Sequence, residues 1–290
     1  MTNFRKSYSN NPALYETCLS LIDSCFPGIK QLADKGKLYN AHWDRASTPF
    51  VYYIEDEPVG HLGLIPFKLI INGHLFQAAA IHGVCVKESH RRKGIFSALM
   101  QEAMLYVKQH YDLAFLFADQ AQLYEPFGFK RIDEFDFVLE HGDTFHKPRH
   151  ILRQLDFTNP ADLNLMHDLL HARLPVSRRF GIIAEQVIFT LDSLSKAVYF
   201  SELHQILIAY EIKDDTLYVK DIVFTKPVDL YDILVLISEH YSKIVLQFCP
   251  DNFKNATFKP IKTLPEDFIM VSTSLDLGTA PLRFPETGRC

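Results

Sequence analysis

The chain has 290 residues, of which 48% are hydrophobic, and it carries a formal net charge of −5 at pH 7. This length suits one large domain or two ordinary domains that each bury a core, and the acidic balance argues against a general nucleic-acid-binding surface. The five cysteines are irregularly spaced and include no CxxC pair, so we expect reduced thiols in a cytoplasmic protein. The N-terminal sequence lacks the apolar core of a signal peptide, and no apolar run approaches the roughly 20 residues that cross a bilayer.

The first half of the chain is predicted to begin with two helices and to continue as a three-stranded meander. ALYETCLSLIDSCF and the weaker IKQLADKGKLY have apolar residues at helical spacing. From Pro49 the sequence becomes rich in β-branched and aromatic residues, and Asn72-Gly73 is typical of a tight hairpin. A helix is then expected from about Gly94 to His110, followed by the apolar strand DLAFLFAD, which is predicted to be buried on both faces. A short helix, PFGFKRI and the strand FDFVLE complete this half.

The second half repeats a similar order of elements. The polar, aperiodic stretch at 141–150 predicts a domain boundary, which gives one domain over residues 1–140 and another over residues 151–290. After it we expect the strand ILRQLDF, helices in PADLNLMHDLLHARL and AEQVIFTLDSL, and three strands with a turn at Asp214-Asp215. A helix in VDLYDILVLISEHY and the strand KIVLQF follow, and the tail beyond about Ser274 is predicted to be irregular.

The junction ESHRRKGIFSALM places three cations and one glycine between a strand and a helix. The first turn of a helix has free backbone N–H groups and a partial positive charge, so it binds phosphate well. Gly94 allows a tight turn and close approach of a ligand to the backbone. The junction therefore predicts a diphosphate site, although an isolated cationic run of this kind is more often a solvated turn.

Neighbouring motifs give this junction a specific context. A strand end, the cationic loop and a later aromatic motif follow one another at fixed spacing, through Val84, Val86, Arg91, Gly94, Tyr124, Gly128 and Phe129. This set resembles the GCN5-related N-acetyltransferase (GNAT) superfamily, in which V-x-V, then [Q/R]-x-x-G-x-[G/A], then a strand and Y-x-x-x-G-F occur in this order. The resemblance covers about residues 50 to 140. It implies a fold that mixes helices and strands (α/β in the broad sense, α+β in the strict one), with a mixed, mostly antiparallel sheet flanked by helices.

Two features refine the resemblance. Phe96 stands where the superfamily usually has Gly or Ala, and HRRKGIFSALM is similar to the loop of the enhanced-intracellular-survival type, whose members carry a second, degenerate GNAT-like domain. The matching junction of the second half, LYVKDIVFTKPVDLYDIL, has no R-x-x-G and contains Pro227. We therefore expect the second domain to bind no coenzyme A. That group's third, sterol-carrier-like domain has no room in this chain, so Cys290 receives no role.

The resemblance implies acetyl-CoA as the donor and an amine as the acceptor. The diphosphate is expected at the backbone N–H groups of 92–96, with help from the Ser97 hydroxyl, and the pantetheine arm beside 84–86 as an added strand. The predicted donor-binding residues are Val84, Cys85, Val86, Arg91, Arg92, Lys93, Gly94, Ile95, Phe96 and Ser97.

Catalytic candidates are Tyr124, His82 and Glu88. By the resemblance, Tyr124 would protonate the departing thiolate; its phenol is protonated at neutral pH, and the alternative is an aromatic residue that packs on the sheet. His82 is the first candidate for the general base, and Glu88 is the second. The alternatives are that His82 is a hydrogen-bonded core histidine and that Glu88 is a solvated loop carboxylate. A chain of water molecules could serve as the base instead.

Three other groups of polar or aromatic residues have open roles. Asp119 and Gln120 line the acceptor side or cap the next helix, and Trp43 forms an acceptor wall or simply packs. His167 and His171 have the i, i+4 spacing of a metal pair, but no third ligand is evident in the sequence, so we expect a solvated helix face and no metal.

Two functions of different classes remain open at this point. The first is transfer of an acetyl group from acetyl-CoA to an amine of a small molecule or protein. The second is a non-catalytic acyl-CoA-binding protein. Acyl transfer from aminoacyl-tRNA is a weaker third, since the sequence shows no basic groove. We expect neither a nucleic-acid nor a membrane partner, and the segments that would select the amine carry no motif.

Overall fold

The computed structural model describes Phe4, Ser7, Tyr8 and residues 11–140, 152–272 and 277–290. The predicted boundary at 141–150 lies outside the described residues. Within the described part, no helix is long and apolar enough to span a membrane.

The first half contains the predicted helices and the predicted meander. Its helices and strands are α1 (Pro12–Cys25), α2 (Ile29–Leu38), α3 (Trp43–Ala46), β1 (Thr48–Ile54), β2 (Glu57–Ile71), β3 (His74–Val86), α4 (Ile95–His110), β4 (Leu113–Ala118), β5 (Lys130–Arg131) and β6 (Phe135–Glu140). Three 3₁₀ turns occupy Glu88–His90, Ala121–Leu123 and Glu125–Phe127. The Asn72-Gly73 hairpin is confirmed, because both residues have positive φ, at 50° and 80°, as a type I′ turn requires.

The second half contains the predicted elements in the predicted order, several of them shorter, together with strands at Phe180–Ile183, Lys259–Lys262 and Phe268–Val271 that the sequence analysis did not predict. In chain order the elements are β7 (Arg153–Gln154), α5 (Pro160–Ala172), β8 (Phe180–Ile183), α6 (Val187–Ser193), β9 (Val198–Ser201), β10 (Ile206–Lys213), β11 (Thr216–Phe224), α7 (Leu230–Leu234), β12 (Lys243–Leu246), β13 (Lys259–Lys262) and β14 (Phe268–Val271), with a 3₁₀ turn at Glu286–Gly288.

One prediction for the second half is wrong in extent. The 14-residue helix expected in VDLYDILVLISEHY is only the five-residue α7, because the chain tightens into i→i+3 bonds that place Leu236 and Ile237 in the core. The described part of the tail, residues 277–290, is largely irregular as predicted, and it packs into the core: the side chain of Phe284 is fully buried against Phe115 and Phe180.

The two halves share one layout. In each, an antiparallel three-stranded meander is followed by a helix and then by a strand parallel to the third meander strand, β3 with β4 and β11 with β12. This is the repeated order that the sequence predicts.

The halves also exchange strands. One seven-stranded sheet has the order β1-β2-β3-β4-β14-β5, with β8 paired to β2, and the other has the order β13-β6-β12-β11-β10-β9-β7. Thus β14, from the second half, lies between β4 and β5, and β6, from the first half, lies between β12 and β13. The sheets therefore do not divide at residues 141–150, and the assignment of catalytic and degenerate domains to 1–140 and 151–290 stays a prediction.

The first sheet is covered on both faces, which holds its strand ends in place. Successive residues of β1 belong to different cores: Phe50 lies in the cluster that contains the α4 residue Leu99, and Val51 lies in the cluster that contains the α1 residue Leu19. Because side chains alternate across a strand, α1 and α4 lie on opposite faces. Burial of a leucine such as Leu99 contributes about 2 to 3 kcal/mol.

Candidate active site

Strands β3 and β4 separate part of the way along their length. They pair in parallel only where 78–80 lie beside 113–115. Beyond that point β3 continues to Val86 and β4 to Ala118, and no described strand pairs with this edge of β3. The result is an opening at the carboxyl ends of two neighbouring parallel strands.

A β-bulge marks the same stretch of β3. His82 lies opposite Gly63 and Cys85 lies opposite His61, so two residues of β3, Gly83 and Val84, face one residue of β2. Gly83 has a φ of 56°, which favours glycine. Bulges commonly occur next to active sites because they redirect local backbone groups.

His61, which the sequence analysis did not select, holds the bulge through a hydrogen bond to its backbone. Its Nδ1 donates to the Gly83 carbonyl at 2.8 Å, and the Tyr8 hydroxyl donates to its Nε2 at 2.5 Å. Burial lowers the pKa of His61 to about 4, so the ring is neutral at pH 7. The available signal in the sequence was the pair of glycines that flanks it, Gly60 and Gly63, inside a strand.

The start of α4 is the candidate phosphate site, and no side chain caps it. Gly94 precedes the helix with a φ of 80°. The first helical hydrogen bond runs from Ala98 N to Gly94 O at 3.0 Å, so the N–H groups of residues 95–97 precede it. A Cβ added at Gly94 would meet nothing within 4 Å, so the space beside this residue is open. The cations at 91–93 are exposed around it.

The remaining predicted donor-binding residues lie beside this loop. Arg91 Nε donates to the Val86 carbonyl at 3.2 Å and thereby ties the loop to the end of β3. Val84 and Val86 are half-buried, whereas the side chain of Cys85 is buried, so Cys85 can meet a ligand only through its backbone.

Phe96 does not obstruct the phosphate site. Its ring contacts Tyr124 and Phe127 edge to face, with centroid distances of 5.6 and 5.8 Å. The bulky residue at this place therefore packs behind Tyr124 and leaves the backbone N–H groups accessible.

Tyr124 lines the cavity at the end of β4. Burial, and then the Asp119 carboxylate, raise the pKa of its hydroxyl to about 12, so the group stays protonated over the physiological range. Among the residues that the structure describes, this hydroxyl has no hydrogen-bonding partner, and it is available to a ligand.

His82 lines the same cavity but is a weak base. Its Nε2 is hydrogen-bonded to Ser47 Oγ at 2.9 Å, and the Trp43 ring lies 5.0 Å away. Burial, and then nearby His61, lower the pKa of His82 to about 3. A general base works best when its pKa is near the operating pH, so burial disfavours the predicted role.

The other candidates divide between cavity and surface. Asp119 and Trp43 line the cavity, whereas Glu88 is exposed in a 3₁₀ turn and Gln120 also lies outside the lining. Neither Asp119 nor Gln120 caps the following turn. His167 is half-buried with its Nε2 3.4 Å from Thr190 Oγ1 on α6, and no group of three or more metal-type ligands occurs in the described ranges.

The cavity has a volume of about 670 Å³ and lies between the two halves. One wall is formed by residues 81–84 of β3, residues 116–118 of β4 and the following Asp119. Helices α1 and α2 form a second wall. The second half contributes a third wall, through Ile188, Leu191, Asp192, Ser195, Lys196, Asp267, Arg289 and Cys290. Sequence reasoning missed this wall, because no local signal links residues so far apart along the chain.

Burial, and then the nearby Glu185 carboxylate, raise the pKa of the Cys290 thiol to about 12.

The matching place in the second half is filled. The end of β11 accepts a backbone hydrogen bond, from Leu174 N to Phe224 O at 2.8 Å, on the edge away from β10. Nearby, the buried Asp221 carboxylate binds the Arg173 guanidinium at 2.8 and 3.0 Å and the Thr287 hydroxyl at 2.6 Å.

The matching helix start of the second half is also closed. The side chain of Asp229 accepts from Tyr231 N at 2.9 Å and so caps α7. This capping carboxylate would repel a phosphate. That the second half binds no coenzyme A stays a prediction.

Comparison with known proteins relates part of the chain to a family. Residues 10–132 match the acetyltransferase (GNAT) domain family. No curated protein sequence is a significant match to the chain.

Solved structures extend the likeness to both halves. A probable N-acyltransferase from Enterococcus faecalis V583 has 14% identity and a TM-score of 0.61 over 92% of this chain and 71% of its own. A GCN5-related N-acetyltransferase from Kribbella flavida has 15% identity and a TM-score of 0.58, with coverages of 92% and 70%. Eis1 from Mycobacterium abscessus has 16% identity and a TM-score of 0.61, with coverages of 93% and 73%.

These identities are low enough that they show the fold alone, which is the α/β, mixed-sheet fold that the sequence predicted. Residues 10–132 thus match the acetyltransferase (GNAT) domain family, and the overall fold of the chain is similar to that of these solved structures.

Proposed function

We propose that the protein is an N-acetyltransferase that moves an acetyl group from acetyl-CoA to an amine. The observation that carries this proposal is the opening between β3 and β4, which joins an uncapped, cationic helix start to a cavity that contains Tyr124. An amine acetyltransferase needs these parts together: a diphosphate site, a path for the pantetheine arm and a proton donor at its end.

The donor fits the open edge of β3 in the predicted orientation. Its diphosphate lies against the N–H groups at the start of α4, with Arg92, Lys93 and the Ser97 hydroxyl nearby. The pantetheine amides pair with backbone groups of 84–86 as an added strand would, and the thioester then reaches the bulge at Gly83. Only the pantetheine direction that runs toward Tyr124 brings the sulfur to a proton donor.

The reaction balances with one proton donor from the chain. The lone pair of a neutral amine forms the C–N bond, and the C–S bond breaks with its electrons on sulfur. Tyr124 donates a hydrogen bond to the sulfur as charge develops and then transfers its proton. The proton lost from nitrogen returns to the phenolate through water. His82 stays neutral and forms part of the wall, since its pKa is about 3.

Thiol release from acetyl-CoA, measured against polyamines, aminoglycosides, arylalkylamines, lysine peptides and protein N-termini, tests the proposal. We expect turnover of at least one class, with the acetylated amine identified by mass spectrometry. Saturable binding of acetyl-CoA with no turnover of any amine would support the acyl-CoA-binding alternative. Absence of binding would refute both.

A further inference from the structure

The acceptor end of the cavity is mainly apolar, and both halves of the chain line it. Helices α1, α2 and α3 contribute one side and α6 the other, through Ile22, Phe26, Leu32, Trp43, Ile188 and Leu191. Phe26 is 45% exposed although it is large and apolar. Apolar surface of this kind at a cavity mouth indicates a ligand that buries it.

The charged residues of this wall are mostly paired with one another. Lys196 forms an ion pair with Asp192 on the same turn of chain, and Arg289 binds Asp267 at 3.1 Å and Glu134 at 2.9 Å. These four cavity residues therefore offer little net charge to a ligand.

Asp119 is different from the paired carboxylates. It lines the cavity at the end of β4, is exposed, and has neither a hydrogen bond nor an ion pair within the described part of the chain. Its carboxylate contributes to the raised pKa of the Tyr124 hydroxyl, so it lies close to the proposed proton donor. A single free carboxylate at this place matches a single positive charge on the acceptor.

From this wall we infer that the acceptor is a small primary amine with one positive charge on an apolar aryl or alkyl body. This inference rests on the proposed function. Asp119 directs the ammonium toward Tyr124, and the body packs between α1 and α2 on one side and α6 on the other. The ammonium loses its proton to solvent before the neutral nitrogen attacks. A polyhydroxylated or polycationic amine would leave polar groups unpaired against the apolar wall, which is costly.

The first test compares acceptors. We expect kcat/KM for 2-phenylethylamine and hexylamine to exceed that for ethylamine and spermidine by about 10- to 100-fold, because burying a side chain of that size contributes about 1.5 to 3 kcal/mol. Higher kcat/KM values for spermidine or for an aminoglycoside than for 2-phenylethylamine would overturn the inference.

Two variants with matched controls test the assigned residues. Asp119→Asn should raise KM for every monoamine by about 10-fold, whereas Glu125→Gln, which removes an exposed charge outside the cavity lining, should leave KM unchanged. Phe26→Ser should raise KM for 2-phenylethylamine and not for ethylamine. Leu75→Ser removes a similarly exposed apolar side chain away from the cavity and should change neither. Equal effects of variant and control would remove Asp119 or Phe26 from the acceptor site.

A binding measurement separates this inference from the proposed function. Trp43 is the single tryptophan of the chain and lines the cavity, so its fluorescence reports amine binding without turnover, with thermal stabilisation as a parallel readout. Binding of 2-phenylethylamine that Asp119→Asn weakens, without acetyl transfer, would contradict the proposed function and keep the acceptor class. Turnover of polycations alone would contradict the acceptor class and keep the function. Neither binding nor turnover of apolar monoamines would overturn the inference.

Discussion

The open edge of a central strand distinguishes the two halves of this molecule. In the first half, no described backbone pairs with β3 beyond Ala80 on the β4 side. In the second half, the corresponding edge of β11 receives the N–H of Leu174. The layout is the same in both, so the capacity to bind an extended ligand depends on what already occupies the strand edge.

Backbone polar groups explain why the difference matters. A buried N–H or C=O without a partner is costly, so an open edge must meet water or a ligand. In the second half, the protein meets that need itself: Leu174 N donates to the Phe224 carbonyl, and the Asp221 carboxylate accepts from Ile222 N at 2.8 Å. In the proposed function, the donor substrate meets this need in the first half.

The two helix starts differ in the same sense. Gly94 turns with positive φ and leaves the first N–H groups of α4 uncapped, whereas the carboxylate of Asp229 caps α7. Anions are favoured near the first helix start and repelled at the second.

The largest effect that would sharpen this comparison is expected for Tyr124→Phe. Loss of the proton donor should lower kcat by about 10² to 10⁴-fold, while the affinity for acetyl-CoA changes little, because the diphosphate and pantetheine contacts remain. Steady-state rates at saturating amine, run beside a binding titration, measure both. Tyr111→Phe, in the same apolar core at the far end of α4, is the control. Weaker binding with an unchanged rate per bound complex would make Tyr124 a packing residue.

Arg173→Met should break the filled edge of the second half. It leaves the buried Asp221 carboxylate without its cation, so we expect the free energy of unfolding to fall by about 3 to 5 kcal/mol. Urea denaturation measures the change, with Arg178→Met, an exposed neighbour, as control. A loss within the range of the control would show that this ion pair does not hold the filled edge together.

Gly94→Glu should close the open helix start of the first half. A carboxylate about 4 Å from the diphosphate should weaken acetyl-CoA binding by at least about 100-fold. Calorimetry should give one site per wild-type chain and none for the variant. Gly28→Glu is a matched control, because Gly28 also precedes a helix with positive φ and open space around it. Two equivalent sites in the wild type would contradict the proposed difference between the halves.

Acid should destabilise the first half through its buried histidines. The folded pKa of His61 is about 4, below the unfolded value of about 6.5. Between these pH values the unfolded chain binds more protons than the folded chain. The contribution of neutral His61 to the free energy of unfolding is therefore fully present above pH 6.5 and is lost as the pH falls toward 4. Between pH 7 and 5 the loss attributable to His61 should be about 2 kcal/mol.

Urea denaturation at both pH values tests this, since His61→Gln should reduce the pH dependence and His74→Gln, at an exposed position, should not. The same pH dependence in wild type and His61→Gln would show that another group is responsible.

Asp229→Ala should have the smallest effect. Loss of the cap on α7 should cost about 0.5 to 2 kcal/mol of stability, and the stoichiometry of acetyl-CoA binding should stay at one per chain. Thermal unfolding and calorimetry measure the two quantities. A second binding event in this variant would show that the cap alone keeps the donor out of the second half.

The local elements of the first half and the glycine turn before α4 were determined by the sequence itself. Helical spacing in α1 and α4, the Asn72-Gly73 turn and the glycine after three cations are signals that neighbouring residues generate within one or two turns of chain. Each corresponds to a stable local geometry, so each was predicted close to its observed position. The order of Val84, Gly94 and Tyr124 added the family resemblance.

The tertiary structure alone decided which strands pair across the two sheets and which residues line the cavity. β6 and β14 are short apolar strands whose pattern suits either sheet, so only long-range packing places each in the sheet of the other half. The cavity wall at Leu191 and the support of Gly83 by His61 likewise join segments far apart in the chain. Contacts of this kind depend on the burial and hydrogen bonding of the whole chain. No local sequence pattern encodes them.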